Sequence, residues 1–179
     1  GKFGGAFLCD GVGLGKTFVG LMLIERLVKF ERKKVLLIVP KSGREPVWES
    51  ALRTYLPELF GVFSNLVVIN HTDLQRGGEW VERLQRIKDQ ADVVVVDEAH
   101  HFRNPSTKKD TSRYWQMQDL AKDKQVFMLT ATPINNRLID LQHLIEHFTQ
   151  RDAGHFRESL GIHSLSGYFR QLEKDLAKR

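Results

Sequence analysis

The sequence predicts an α/β fold, a doubly wound and mainly parallel sheet with helices on both faces. Three observations predict it. Short apolar runs with abrupt ends recur along the 179 residues. They are rich in β-branched residues and do not alternate with polar ones, which suits strands buried on both faces. Segments of helical periodicity separate the runs, and such alternation builds an open sheet with right-handed crossovers. The residues able to carry chemistry fall at the carboxyl ends of the runs, where ligands sit in sheets of this kind.

The first run, AFLC (6–9), leads through a glycine-rich turn into a helix over 17–30. VLLIV (35–39) ends at Pro40 and precedes a helix over 44–56. LVVIN (66–70) precedes a helix over 78–90, and DVVVVD (92–97) one over about 110–121. QVFMLT (125–130) is followed by the helix NRLIDLQHLIEHF (136–148). After about residue 150 the strand pattern stops, and Gly154, Gly161 and Gly167 break a tail of helix and turn. The expected division is therefore a domain over 1–150 and a helical extension over 151–179, too short to be another domain.

A chain of this length buries about 70% of its unfolded surface and needs no disulfide staple. The single cysteine, Cys9, lies in an apolar run and is expected as a buried, reduced thiol. No apolar run reaches the length of a membrane span, and no signal pattern opens the chain. A membrane partner is not expected. The expected compartment is reducing: the cytoplasm in a prokaryote, or the nucleus in a eukaryote. Formal charge is +5, compatible with a polyanionic partner without pointing to one. The basic runs ERKK (31–34) and TKK (107–109) read as solvated surface.

Chemistry concentrates in three segments. CDGVGLGKT (9–17) ends like a phosphate-binding loop but carries Asp10 where the pattern G-x-x-x-x-G-K-[ST] has glycine. Gly11, Gly13 and Gly15 free the turn so that backbone N–H groups of Asp10 to Thr17, with Val12 and Leu14 between, can face phosphate oxygens. The helix that follows aims its positive dipole end at the same place. Lys16 supplies a charge for the β- and γ-phosphates, and the Thr17 hydroxyl can ligate Mg²⁺. In VVVVDEAHH, Asp97 and Glu98 end a buried run, where a carboxylate is costly without a facing cation. Mg²⁺ on a nucleotide is such a cation, held by Asp97, while Glu98 orients and deprotonates the attacking water. In LTATPINN (129–136), Thr130 and Thr132 offer hydroxyls at the same rim.

With these segments together, the chain resembles the first RecA-like lobe of a superfamily-two helicase-type ATPase. The resemblance is nearest the Swi/Snf (sucrose non-fermenting) branch of DNA translocases. Its P-loop motif, D-E-x-G-L-G-K-T, is matched by Asp10, Gly13, Leu14, Gly15, Lys16 and Thr17, with Gly11 in place of glutamate. LLIVPKSGREPVW (36–48) resembles its next motif. DEAHHFRN (97–104) resembles the D-E-A-H-x-x-[KR]-N form, and LTATPINN resembles L-T-[GA]-T-P-x-x-N. Alanine at 131 is nearer bacterial relatives. The resemblance implies a P-loop NTPase lobe using ATP and Mg²⁺, with Lys16, Asp97 and Glu98 catalytic. It also implies that His100, Thr130 and Thr132 couple nucleotide state to nucleic acid, with Pro40, Lys41, Ser42, Arg103 and Asn104 near that nucleic acid. The implied partners are double-stranded DNA and a second RecA-like lobe of the same protein, carrying an arginine finger, without which the isolated lobe barely hydrolyses ATP.

Other readings stay open. The nucleic acid could be RNA or single-stranded DNA, as for other D-E-x-H helicases. HLIEH (143–147) fits the inverted zincin pattern, so that His143 and His147, with Glu158 or Glu173, could hold a hydrolytic zinc. Its alternative is a helix packing Leu141, Leu144, Ile145 and Phe148 inward and exposing its histidines and glutamate. A nucleotide-gated module without motor action is a further alternative. His71 sits where the family has a nucleic-acid motif, or is simply a loop residue. Trp48, Trp80 and Trp115 stack on bases or belong to the core.

Overall fold

The structure, a computed structural model, describes residues 4–9, 15–60, 64–107, 112–134 and 137–178. Five strands form one all-parallel sheet: β1 (Gly5–Cys9), β2 (Val35–Val39), β3 (Leu66–Asn70), β4 (Val93–Asp97) and β5 (Gln125–Thr130). Their order across the sheet is β1-β5-β4-β2-β3. In register, Cys9 lies beside Thr130 and Asp97 beside Leu129, so three strands end level at one rim.

The helices follow the expected alternation. Helix α1 (Lys16–Glu25) continues as a widened π-helical stretch through Phe30. Helix α2 (Lys41–Gly43), a π-helical stretch Arg44–Glu49 and α3 (Ser50–Tyr55) make one uninterrupted rod. It begins three residues before the predicted start at 44. Pro46 lies in the widened part, where its missing N–H and its ring cannot fit the regular i→i−4 ladder. Later come α4 (Trp80–Gln90), α5 (Arg113–Leu120), α6 (Ile139–Thr149), α7 (Arg157–Leu160) and α8 (Leu165–Leu176).

Alternate residues of the central strands feed two separate cores, as double winding requires. Leu36, Ile38, Val94 and Val96 meet Met117 of α5 and Leu144 of α6 on one face. Val35, Leu37, Val39, Val93 and Val95 meet Ile24 of α1 and Leu52 of α3 on the other. Each such side chain, fully buried, contributes about 1.5–3 kcal/mol from apolar burial. Phe156, Leu165 and Phe169, beyond residue 150, join the first core.

The edges differ from the centre. Every residue of β2 is buried, whereas β1 is bonded on one side only and none of its residues is fully buried. Cys9, at its carboxyl end, is exposed, which corrects the expected buried thiol. An apolar run marks a strand but does not reveal which strand forms the edge. No helix among the described residues is long and apolar enough to cross a membrane.

Candidate nucleotide and magnesium site

A cleft of about 440 Å³ opens at the carboxyl rim. Gly15, Lys16 and Thr17, Pro40 and Ser42, and Asp97 and Glu98 line it together. Gly15 takes the left-handed conformation, φ 87°, which lets the chain turn into α1 at no Cβ cost. Having no side chain, it cannot cap α1, whose first N–H groups and positive dipole end are suited to an anion. Asp10, Gly11, Val12, Gly13 and Leu14 lie outside the described residues.

The acidic pair is held tightly and unevenly. Asp97 Oδ1 accepts from the backbone N–H of Glu98 at 2.9 Å, and Oδ2 accepts from the indole N–H of Trp48 at 2.7 Å. The Asp97 carbonyl lies 2.8 Å from His71 Nε2, so the loop after β3 reaches past the end of β2 to brace β4. Glu98 has φ 48°, a left-handed conformation costing a non-glycine residue about 1–3 kcal/mol. That turn takes the glutamate out of line with the strand. Desolvation pushes the Glu98 carboxyl above the usual range, the Asp97 charge adds to this, and the Lys16 and His101 charges oppose it. Lys16 and both acids therefore act on one another within one cleft.

His100 connects this pair to the neighbouring strand. Its Nδ1 lies 3.1 Å from Glu98 Oε2 and 3.1 Å from Thr130 Oγ1. Thr130 is fully buried, and its hydroxyl accepts from the Thr132 N–H at 3.3 Å. A ring cluster lies behind: His100 and His101 centroids are 4.3 Å apart, and His71 stands 4.9 Å from Phe102. Burial pushes His71 down to about 4, and burial also lowers His100 and His101. Burial thus favours the neutral form of all three rings.

The residues expected near nucleic acid divide. Lys41, Ser42 and Asn104 are exposed. Arg103 is turned inward, its side chain 16% exposed and its Nε 3.8 Å from Asp140 of α6. The tryptophans have other partners. Trp48 is fully buried. Trp80 lies under the guanidinium groups of Arg76 and Arg83, and Trp115 under that of Arg151.

The zinc reading is overturned. His147 is fully buried, its Nε2 3.0 Å from the Phe102 carbonyl, and burial pushes it down to about 4. The Glu146 carboxylate takes the Tyr114 hydroxyl and, at 2.7 Å, the Gln142 amide. Glu173 faces Arg137 at 3.7 Å. Among the described residues no group of three histidine, cysteine or acidic side chains is arranged to hold a metal. The alternative of outward-facing histidines is also wrong for His147.

Two functional contacts escaped sequence reading. One is the brace from His71, and the other is the bond from Trp48 to Asp97. A usable signal existed: a buried indole needs an acceptor and a buried carboxylate needs a donor. Only the fold shows that they meet across 49 positions.

Comparison with known proteins matches residues 8–135 to the family described as the type III restriction enzyme, res subunit. An uncharacterized ATP-dependent helicase, YqhH, of Bacillus subtilis is 31% identical over 186 residues, covering 98% of this chain and 32% of its own length. The SWI2/SNF2 ATPase core of Sulfolobus solfataricus, solved in complex with dsDNA, is similar with a TM-score of 0.62 and 24% identity, covering 85% of this chain and 33% of that one. A second structure, of the Sulfolobus solfataricus SWI2/SNF2 ATPase core domain, gives a TM-score of 0.60 and 23% identity, covering 88% of this chain and 34% of that one. These two likenesses establish the RecA-like fold. The chain spans about a third of the length of each protein it matches here.

Proposed function

The chain belongs to the family of the type III restriction enzyme res subunit and is a helicase-like lobe, and from that premise we propose that it carries the ATP site of a motor acting on duplex DNA. The single observation carrying this reading is the cleft that gathers Lys16, Thr17, Asp97 and Glu98, which the sequence separates by some 80 residues.

The residues fit MgATP. An uncapped helix start and an amine suit phosphate oxygens, and a hydroxyl with a carboxylate is a hard oxygen set suited to Mg²⁺. When bound, Mg²⁺ neutralises charge on the β- and γ-phosphates. Lys16 holds those oxygens, and Thr17 and Asp97 hold the ion. Glu98, its basicity raised by desolvation, takes the proton of the attacking water; such a base contributes about 10²–10⁴ in rate. His100, touching both Glu98 and Thr130, carries the state of the site to the strand beside it. Lys41 and Ser42 contact the nucleic-acid backbone from the same rim.

A second RecA-like lobe supplies the arginine finger, worth about 10³–10⁵ in turnover. Residues 1–150 form the lobe proper and 151–179 an extension toward its partner. Two assays on the complete protein test the reading. Glu98→Gln is expected to bind ATP and fail to hydrolyse it; unchanged hydrolysis contradicts the motor. Duplex DNA is expected to stimulate the parent ATPase more than single-stranded DNA or RNA, and the reverse ranking replaces the duplex with that substrate.

A further inference from the structure

We propose that Trp48 is the positioning residue for the magnesium ligand: its indole N–H fixes the Asp97 carboxylate in the orientation that receives the ion. The inference rests on the MgATP reading of the cleft.

A carboxylate has about four lone-pair directions. Two are taken here by neutral donors, one on each oxygen: the Glu98 N–H on Oδ1 and the Trp48 indole on Oδ2. Pinning both oxygens fixes the carboxylate plane. Because neither donor is charged, the negative charge is left for a cation. Asp97 itself lines the cleft.

The indole itself cannot drift. It is fully buried, and a Cβ added to Gly20 would stand 2.5 Å from its Cη2. Gly20 lies on α1, the helix that begins with Lys16 and Thr17. Trp48 stands on the rod that begins with Lys41 and Ser42. One ring therefore touches the helix of the phosphate amine, the metal carboxylate and the helix whose start borders the nucleic-acid rim. A purely packing role would be met as well by any large apolar ring. The 2.7 Å bond to a carboxylate is what distinguishes tryptophan here.

The test uses ADP and Mg²⁺ on the complete protein, titrated calorimetrically with the metal and again in EDTA. The ratio of the two dissociation constants is the magnesium increment. Outer-shell partners of metal ligands typically cost about 10–100-fold in metal affinity when removed. Trp48→Phe keeps an aromatic ring and removes the donor. It is expected to lower the increment about 10-fold or more, with ADP affinity in EDTA unchanged. Leu52→Ala, on the same rod and buried in the same core, is expected to lower thermal stability and leave the increment alone. Gly20→Ala keeps every donor and displaces the ring; it is expected to lower the increment too, and decides the matter by itself should Trp48→Phe fail to fold. A parent-like increment in the deciding variant, or an equal loss with and without the metal, overturns the inference while leaving the nucleotide site standing. A parent protein without any increment overturns the MgATP reading, and the inference with it.

Discussion

Asp97–Phe102 at the end of β4 and His143–His147 in α6 are built from the same residue types, acids beside histidines, and the fold uses them in opposite ways. Glu98 and His100 keep 34% and 23% of their side chains exposed and touch one another, and Glu98 lines the cleft. His147 keeps none, and its imidazole bonds a carbonyl of the turn that carries the other motif. Glu146 is spent on Tyr114 and Gln142. What separates chemistry from architecture here is solvent access. The α6 segment supports the DEAHH turn from below; it does not rival it.

The largest expected effect splits the two acids. In the complete protein Glu98→Gln should reduce ATP hydrolysis by about 10²–10⁴ in a steady-state assay with nucleotide binding retained. Glu146→Gln should leave turnover near the parent value, and a comparable loss there would erase the distinction.

Next is the pH dependence of stability. His71 and His147 titrate at about 4 in the folded chain, against an ordinary 6.5. Between those values the unfolded chain binds more protons, so stability is fully present above 6.5 and falls as pH drops toward 4. Each histidine contributes at most about 1.4 kcal/mol per pH unit. Urea midpoints across this window should follow that slope, and His147→Gln, which keeps a donor without titrating, should reduce it by the share of one histidine.

At constant pH, His147→Ala should cost about 1–3 kcal/mol, since it leaves the Phe102 carbonyl without its partner. Denaturant melts measure this, with MgADP affinity per folded molecule unchanged. The smallest effect belongs to Thr130→Val, which removes the hydroxyl facing His100. About 1 kcal/mol of stability should be lost, together with part of the nucleic-acid stimulation of hydrolysis.

The central strands were legible because a strand buried on both faces is apolar along its length, as β2 is throughout and β4 is up to Asp97. The rim was legible because the ends of such strands collect polar residues. What stayed hidden depends on contacts distant in sequence. Edge position exposes Cys9 although its run resembles the central ones. The helix predicted from 44 begins at Lys41, and the rod accommodates Pro46 by widening around it. HLIEH fits a metal pattern at the right spacing, and only the burial of His147 removes it. The bond from Trp48 to Asp97 joins two segments 49 positions apart, and neither segment alone points to the other.

The claim on which the rest depends is that Lys16, Asp97 and Glu98 serve one triphosphate and its magnesium. Its most direct measurement is the affinity of the complete protein for MgATP, parent against Lys16→Ala, with circular dichroism to verify folding. The expected result is a folded variant that no longer binds. A folded variant binding MgATP as tightly as the parent contradicts it.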